Sequence, residues 1–408
     1  MVTDEARSSK LRVLMVVEDD TATSQIVEGV LRRCERLGVS YTKTLAAAVS
    51  FSHFGPDVVP FFVRCGLPAL DVWIKFLRRA GHPYLYYIDD NFWELAGKST
   101  VAMYYRQPSV QRSLQLAIAN AYQVLTNSTV LAGYLQRFTR HTAVVPAFFD
   151  FSLIDDCVPE QTEEVRIGFA GSPSRAPDLE LIRPIIPQVL QQIPRAIFEF
   201  CGTLPEGVRP SPRIRFFEHT LSYANFIRFQ VSRNWAIGLA PLIDNSANRA
   251  KTNNKYREYG ACAIAGIYSD IPPYHDSVLP GQTGLLAGPS PDSWLAAILQ
   301  LANEPEQRRF IASNACRDVR ERFSVDRAAD AWMEHFLAVH RELGRRPSKL
   351  TMAYVAGAGQ LLFARHIRQI WLEVLDTFRL GGLPLVFSKA RMRLRLALIR
   401  RTSRRSGH

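Results

Sequence analysis

Several features are missing from this 408-residue chain, and each absence removes a class of function. No stretch reaches the ~18 consecutive apolar residues that a membrane-spanning helix needs, so no transmembrane segment is expected. The six cysteines, at positions 34, 65, 157, 201, 262 and 316, form no C-x-x-C pair, and several sit inside apolar runs. They are expected to be reduced core residues rather than disulfides or zinc ligands. The sequence opens MVTDEARSSK and passes straight into an apolar run, without the pattern of a secretory leader, so the expected location is cytoplasmic. The loop after that run, EDDTATSQ, contains no glycine. The G-x-G-x-x-G dinucleotide fingerprint is therefore absent, and a near match at Gly357 and Gly359 fails at Leu362, which argues against NAD or FAD.

A basic main body is missing too. The formal net charge of +12 comes from 50 Lys/Arg and 38 Asp/Glu, but residues 341–408 hold 15 and 3 of these, leaving 35 and 35 in residues 1–340. No zinc-finger or RRM pattern accompanies the excess, so no nucleic-acid partner is expected.

What is present suits an α/β protein of two domains, each of ~150–200 residues, with an appendage. Leu11–Val17 is a continuous apolar run of strand length, followed by helical spacing over Ile26–Leu37 that ends at Gly38. Further strands are expected at Asp57–Val63, Tyr84–Ile88, Tyr122–Thr126 and Ala143–Val145, with helices at Ala69–Ala80 and Ser128–Phe138 between them. The acidic segment Asp150–Glu164 reads as a linker. The β pattern restarts at Val165–Ala170 and continues with Ala196–Cys201, Arg213–Phe217 and Trp235–Ala240. Closing helices are expected at Trp294–Ala302, Glu306–Arg322 and Val325–Leu343, with starts marked by Ser290, Pro291 and Ser324.

The densest signal is KTNNKYREYGACAIAGIYSDIPPYHD, Lys251–Asp276. If Thr252–Tyr259 is helical, Lys251, Lys255 and Glu258 share one face with Asn254 among them, while Thr252, Tyr256 and Tyr259 take another. Gly260 reads as the helix stop and Cys262–Tyr268 as a buried parallel strand. The loop SDIPPYHD then lies at a strand's carboxyl end, where α/β proteins bind ligands. A Lys/Lys/Glu stripe alone reads as a solvated helix face with internal pairing. Here, however, motifs follow it in order: Gly281, Gly284, Leu285 and Leu286, then PSPDSW from Pro289.

This ordered series resembles the GT-B glycosyltransferases of the large retaining family 4 type, strongly in the second half of residues 11–340 and loosely in the first. The resemblance implies a GT-B fold: two Rossmann-like domains facing across a cleft. It places an acceptor domain at 1–150, a linker at 151–163, a donor domain at 164–340 and a basic helical tail at 341–408. It also implies transfer of a sugar from a nucleotide-sugar to a hydroxyl acceptor with retention of configuration. The nucleotide-sugar would be a co-substrate, and neither a resident cofactor nor a metal would be needed. Glu258 would hold the ribose hydroxyls, and Lys251 and Lys255 the diphosphate. Gly171 and Ser172, in GSPSRAPDLELI, would approach the phosphates, with Arg175 where His is commoner; Asn254 and Tyr259 complete the donor set. Late helices are expected to cross back to the first domain.

On the acceptor side, Arg64 ends one strand and Asp89 and Asp90 follow another, so Asp90 is a candidate catalytic base and Asp89 and Arg64 acceptor contacts. The two acids equally read as an N-capping turn. Being adjacent, they do not spell a metal-binding D-x-D. One departure stands out: the family's paired glutamates would need Glu at 250, where this chain has Ala250. Two alternatives therefore remain, a catalytically inactive sugar-nucleotide-binding or scaffold subunit and a sugar-nucleotide epimerase on the same fold. The tail, with helical stretches over Tyr354–Phe378 and the mixed basic and apolar run Leu383–Ile399, reads either as an element docking on anionic membrane near a lipid-linked acceptor, on the inner face, or as a disordered basic end.

Overall fold

The structure is a computed structural model, and it describes residues 11–95, 97, 99–218, 222–345, 349–350, 374–375 and 378. The first half contains β1 (Arg12–Val17), α1 (Ala22–Glu35), β2 (Ser40–Leu45), β3 (Val58–Val63), α2 (Asp71–Ala80), β4 (Leu85–Tyr87), α3 (Thr100–Tyr105), α4 (Pro108–Asn120), β5 (Gln123–Thr126), α5 (Thr129–Leu135) and β6 (Thr142–Val144). Its six strands form one parallel sheet in the order β2-β1-β3-β4-β5-β6. β3 is buried along its whole length and β1 beyond its first residue, because helices cover both faces of a parallel sheet. That covering is why both read as unbroken apolar runs. The edge strand β2, SYTKTL, is only half-buried and mostly polar, and nothing in its pattern announced it.

The second half contains β7 (Val165–Ala170), α6 (Ile186–Gln192), β8 (Ala196–Cys201), β9 (Ile214–Phe217), α7 (Tyr223–Arg233), β10 (Ile237–Ala240), α8 (Ser246–Arg249), α9 (Asn254–Ala261), β11 (Ala265–Ser269), β12 (Leu285–Ala287), α10 (Pro291–Asn303), α11 (Pro305–Arg322) and α12 (Val325–Arg345). Its strands are again parallel, in the order β12-β11-β10-β7-β8-β9, the 3-2-1-4-5-6 arrangement of doubly wound nucleotide-binding sheets. Three helix starts behave as their serines imply: Ser128, Ser290 and Ser324 accept from the amides of Leu131, Ser293 and Arg327 at 3.2, 3.3 and 3.3 Å.

The chain passes between the halves at two adjacent places. Phe149 leaves the first half and donates its amide to the carbonyl of Phe323 at 2.8 Å, just before α12 returns. α12 then buries Ala328, Trp332, Phe336 and Val339 in the apolar cluster under β1 and β3. Its Trp332 Nε1 donates to the Pro146 carbonyl at 3.2 Å. The last helix of the range 164–340 thus belongs physically to the first domain, as a crossing-back helix does.

Three expectations for the central stretch need correction. Helix α9 starts at Asn254, so Lys251 lies in the turn before it rather than on its face. Gly260 is not the stop either: the helix runs through it to Ala261, and the left-handed residue is Ala263, at φ 53°. Gly260 is there for contact, because a Cβ on it would lie 2.6 Å from Val319 Cγ2 and 3.0 Å from the Ala315 carbonyl of α11. The following strand accordingly begins at Ala265, not Cys262. The expected tail elements, Tyr354–Phe378 and Leu383–Ile399, lie outside the described residues except for Val374, Leu375 and Phe378. Among the described residues no helix is long and apolar enough to cross a membrane.

Candidate active site

In an open parallel sheet a crevice opens at the carboxyl ends of the strands where the winding reverses. In the first sheet that point lies between β1 and β3, and in the second between β7 and β10. The segments leaving β1, the neighbouring β4, β7 and β10 face each other across a cavity of about 340 Å³. Asp20, Thr23, Asp89 and Asp90 line it from the first domain. Gly171, Ser172, Arg175, Lys251, Asn254, Lys255 and Glu258 line it from the second, with Tyr223, Phe226 and Tyr274. A larger but shallow hollow, about 620 Å³, lies on the outer face of α11 beside Ala263 and Cys316, away from both reversal points.

The first-domain wall is built on Arg64. It follows β3 with φ 55°, a left-handed conformation unusual for a residue with a side chain, and its backbone amide is held by the Tyr87 carbonyl at 2.9 Å. The guanidinium lies 4.8 Å over the Phe92 ring, donates to Thr23 Oγ1 at 2.6 Å and to Asp90 Oδ2 at 3.0 Å, and stands 3.4 Å from Asp89 Oδ1. Asp89 Oδ2 accepts from Thr23 Oγ1 at 3.0 Å, while its Oδ1 has no hydrogen-bond partner. No helix begins at the two acids, since α3 starts only at Thr100, so they are not an N-capping turn.

The environments of these neighbouring carboxylates push them apart. Burial raises Asp89, with Asp90's charge adding to it against the pull of Arg64. Burial also acts on Asp90, but Lys251 and Arg64 outweigh it and draw its carboxyl down to about 2. Arg64 itself, which burial alone would lower, is held above its ordinary value by the two aspartates. Two adjacent acids of opposite tendency are the arrangement from which one fixed anion and one proton-exchanging group can be made.

Lys251 crosses the cleft: its Nζ donates to Asp90 Oδ1 at 3.0 Å and ties the second domain to the first. Lys255 pairs with Glu258 Oε2 at 2.5 Å and lies 5.3 Å over the Phe226 ring. Glu258 is 5% exposed, yet it borders the cavity. Gly171 is required by close approach, because a Cβ there would fall 2.9 Å from Arg175 Cγ. Arg175 is anchored by Asp178 at 3.1 Å and by the Pro241 carbonyl at 3.0 Å. The turn after Ser172 is a 3-10 run, Pro173–Leu181, in place of an α-helix.

Tyr259 does not belong with the donor residues. It is fully buried, donates to the Leu239 carbonyl at 2.8 Å and fills the space beside Gly238, where a Cβ would meet its ring at 2.7 Å. Ala250, standing where the paired glutamate was expected, is 1% exposed and packs into the apolar cluster of the first domain instead of facing the cavity. Reasoning from the sequence missed Thr23, Tyr223, Phe226 and the buried Arg257. Thr23 alone had a signal, its place in EDDTATSQ directly after β1, where α1 begins.

No protein-family model matches the sequence, and no curated protein matches it either. Among solved structures the chain is similar to sucrose-phosphate synthase from Thermosynechococcus elongatus, at 13% identity and TM-score 0.59, covering 81% of this chain and 99% of that one. It is likewise similar to Anabaena HepE in complex with UDP and glucose, at 13% identity and TM-score 0.59, covering 80% and 100%. A putative UDP-N-acetylglucosamine 2-epimerase from Listeria monocytogenes matches at 14% identity and TM-score 0.50, covering 83% and 99%. At such identities the likeness establishes the fold. This chain has the two-domain GT-B fold, with its cavity between the two Rossmann-like halves.

Proposed function

We propose that this protein is a glycosyltransferase that moves a sugar from a nucleotide-sugar to a hydroxyl acceptor, with retention of configuration as in family 4. One observation carries the reading: Lys251, Lys255 and Arg175 of one domain and Asp89 and Asp90 of the other converge on a single cavity between the carboxyl ends of the two sheets. HepE, similar in fold, has been solved with UDP and glucose. As the glycosidic C–O bond breaks, negative charge grows on the departing diphosphate. Lys251 and Lys255, with the backbone near Gly171 and Ser172, stabilise that charge more in the transition state than in the ground state. Glu258 accepts from the ribose hydroxyls, and Asp89, Asp90 and Arg64 receive the acceptor hydroxyl. The acceptor approaches on the face the diphosphate leaves, and a phosphate oxygen takes its proton. The nucleotide-sugar is a co-substrate, and no resident cofactor or metal takes part.

The basic residues 341–408 support a further part of the proposal: they hold the enzyme on the anionic inner face of a membrane, beside a lipid-linked acceptor of cell-surface polysaccharide or glycolipid synthesis. The test is release of nucleoside diphosphate from UDP-, GDP- and ADP-sugars with and without glycan and lipid-linked hydroxyl acceptors. Release that depends on an acceptor supports transfer. Binding without release under any condition makes the chain a binding or scaffold subunit. Conversion of one sugar-nucleotide into its epimer, the alternative favoured by the Listeria likeness, overturns transfer in the other direction.

A further inference from the structure

Arg257 does not border the cavity and has no part in the chemistry above, yet it lies 4% exposed at the crossing between the domains. A buried guanidinium offers five N–H groups and no acceptor, and each one left unpaired is costly. Arg257 meets this with neutral oxygens. Nε donates to Asn253 Oδ1 at 2.9 Å, Nη1 to the Phe148 carbonyl, and Nη2 to Asn254 Oδ1 and, at 3.4 Å, to Thr252 Oγ1. Thr252 Oγ1 in turn donates to Asn254 Oδ1 at 3.0 Å.

A carboxamide has one accepting end and one donating end. Because a guanidinium nitrogen carries only hydrogens, the end of Asn254 that faces Arg257 is the oxygen, and Thr252 supplies a second donor to the same atom. The NH2 end is thereby left for the cavity that Asn254 lines together with Lys251 and Lys255. We infer that Arg257 is a positioning residue that locks the Asn254 amide with its N–H groups toward the cavity, where they donate to a phosphate oxygen of the nucleotide-sugar. The inference rests on the donor-site reading above. The two flanking lysines select an anionic oxygen over a sugar hydroxyl as the partner. The Phe148 carbonyl lies in the segment leaving the first domain, so the same guanidinium ties the orientation of this donor to the way the domains meet.

The experiment is calorimetry on the full chain with UDP, GDP and ADP, each against its own nucleoside. Asn254→Ala is expected to weaken the nucleoside diphosphate that binds by about tenfold, as loss of one charge-assisted hydrogen bond does. The nucleoside should bind as before. Arg257→Gln should show the same selective loss, and adding Asn254→Ala to it should cost little more, since both remove one contact. Thr252→Val, which keeps Arg257 in place, should give a smaller loss that also vanishes in the Asn254→Ala background. It carries the test if Arg257→Gln does not fold. Equal affinity of wild type and Asn254→Ala for the diphosphate, losses that simply add, or equal losses for diphosphate and nucleoside would each overturn the proposal and leave the donor site standing. Failure of the wild type to bind any of the three diphosphates would instead remove the donor-site reading and this inference with it.

Discussion

Replacing Asp90 by asparagine should tighten the binding of a nucleoside diphosphate while lowering sugar transfer. Lys251 Nζ sits 3.0 Å from Asp90 Oδ1, and the two side chains are 24% and 23% exposed. A diphosphate that recruits Lys251 must first draw it away from this partner. The strength of that hold is visible in Asp90, whose carboxyl falls from an ordinary 3.8 to about 2 although burial opposes the fall. That fall is what remains after burial has opposed it, so the combined pull of Lys251, Arg64 and weaker neighbours exceeds what the shift itself records. Lys251 exerts the largest pull, and a half-buried ion pair is worth on the order of 1 kcal/mol, so abolishing this one should improve affinity roughly fivefold. Removing a negative charge from the cavity acts in the same direction. Calorimetry with UDP, GDP and ADP at constant ionic strength reads the affinity, and diphosphate release with acceptor reads the transfer. Unchanged or weaker affinity in a folded Asp90→Asn protein would refute the reasoning and leave Lys251 a purely interdomain tie. Tighter binding with unimpaired transfer would remove Asp90 from the acceptor side.

Lys255→Ala should raise the barrier to transfer by about 2–4 kcal/mol, with a melting temperature close to wild type; an unchanged rate would exclude it from the diphosphate site. Glu258→Gln should weaken nucleotide binding, because an amide is a poorer partner for two ribose hydroxyls, and equal calorimetric affinity would make Glu258 merely the partner of Lys255. Glu199, fully buried between Arg233 at 2.6 Å, Arg215 at 3.1 Å and Trp235 Nε1 at 2.9 Å, holds the back of the second sheet. Glu199→Ala should cost about 1–3 kcal/mol in urea unfolding at pH 7 by leaving Trp235 Nε1 and Arg233 Nε without their acceptor, while Glu164 and Glu160 still pair with Arg215 and Arg233. Burial would raise Glu199, but Arg233 and Trp235 outweigh it, and Glu164 is drawn down to about 2, chiefly by Arg215. Depressed carboxylates stabilise the fold above their unfolded values, and that stability is lost as pH falls from about 4.5 toward 2. Wild type should therefore lose stability over that window more steeply than Glu199→Ala, and parallel curves would contradict the assignment. A chain ending near residue 380 should keep nucleotide binding and lose salt-sensitive association with anionic vesicles; equal sedimentation of both forms would exclude the membrane role.

The order of most strands was legible because parallel sheets are buried on both faces, whereas α3, α4 and the short β12 were not anticipated. Apolar runs such as LRVLMVV and VRIGFA can be little else once turn residues bound them. Part of the cavity lining was legible for a related reason: charged residues set against glycine and proline at strand ends, as in Lys251–Asp276, mark loops at the carboxyl ends of parallel strands. The half-polar edge strand β2 escaped because its residues satisfy no single face. Helix α9 was misplaced by two residues because Gly260 answers a contact with Ala315 and Val319 of α11, more than fifty residues away, rather than a local turn.

What only the tertiary structure decided is where each charge goes. Nothing in KTNNKYREYG says that Lys251 reaches Asp90 across the cleft or that Arg257 spends its donors on Phe148 and Asn254. These outcomes depend on how two sheets are set face to face, and a long side chain can swing to either of two faces at small cost until its partner is in place. Spacing along the chain fixes which residues share an element. Pairing across the cleft is fixed only when burial makes every unpaired donor and charge expensive.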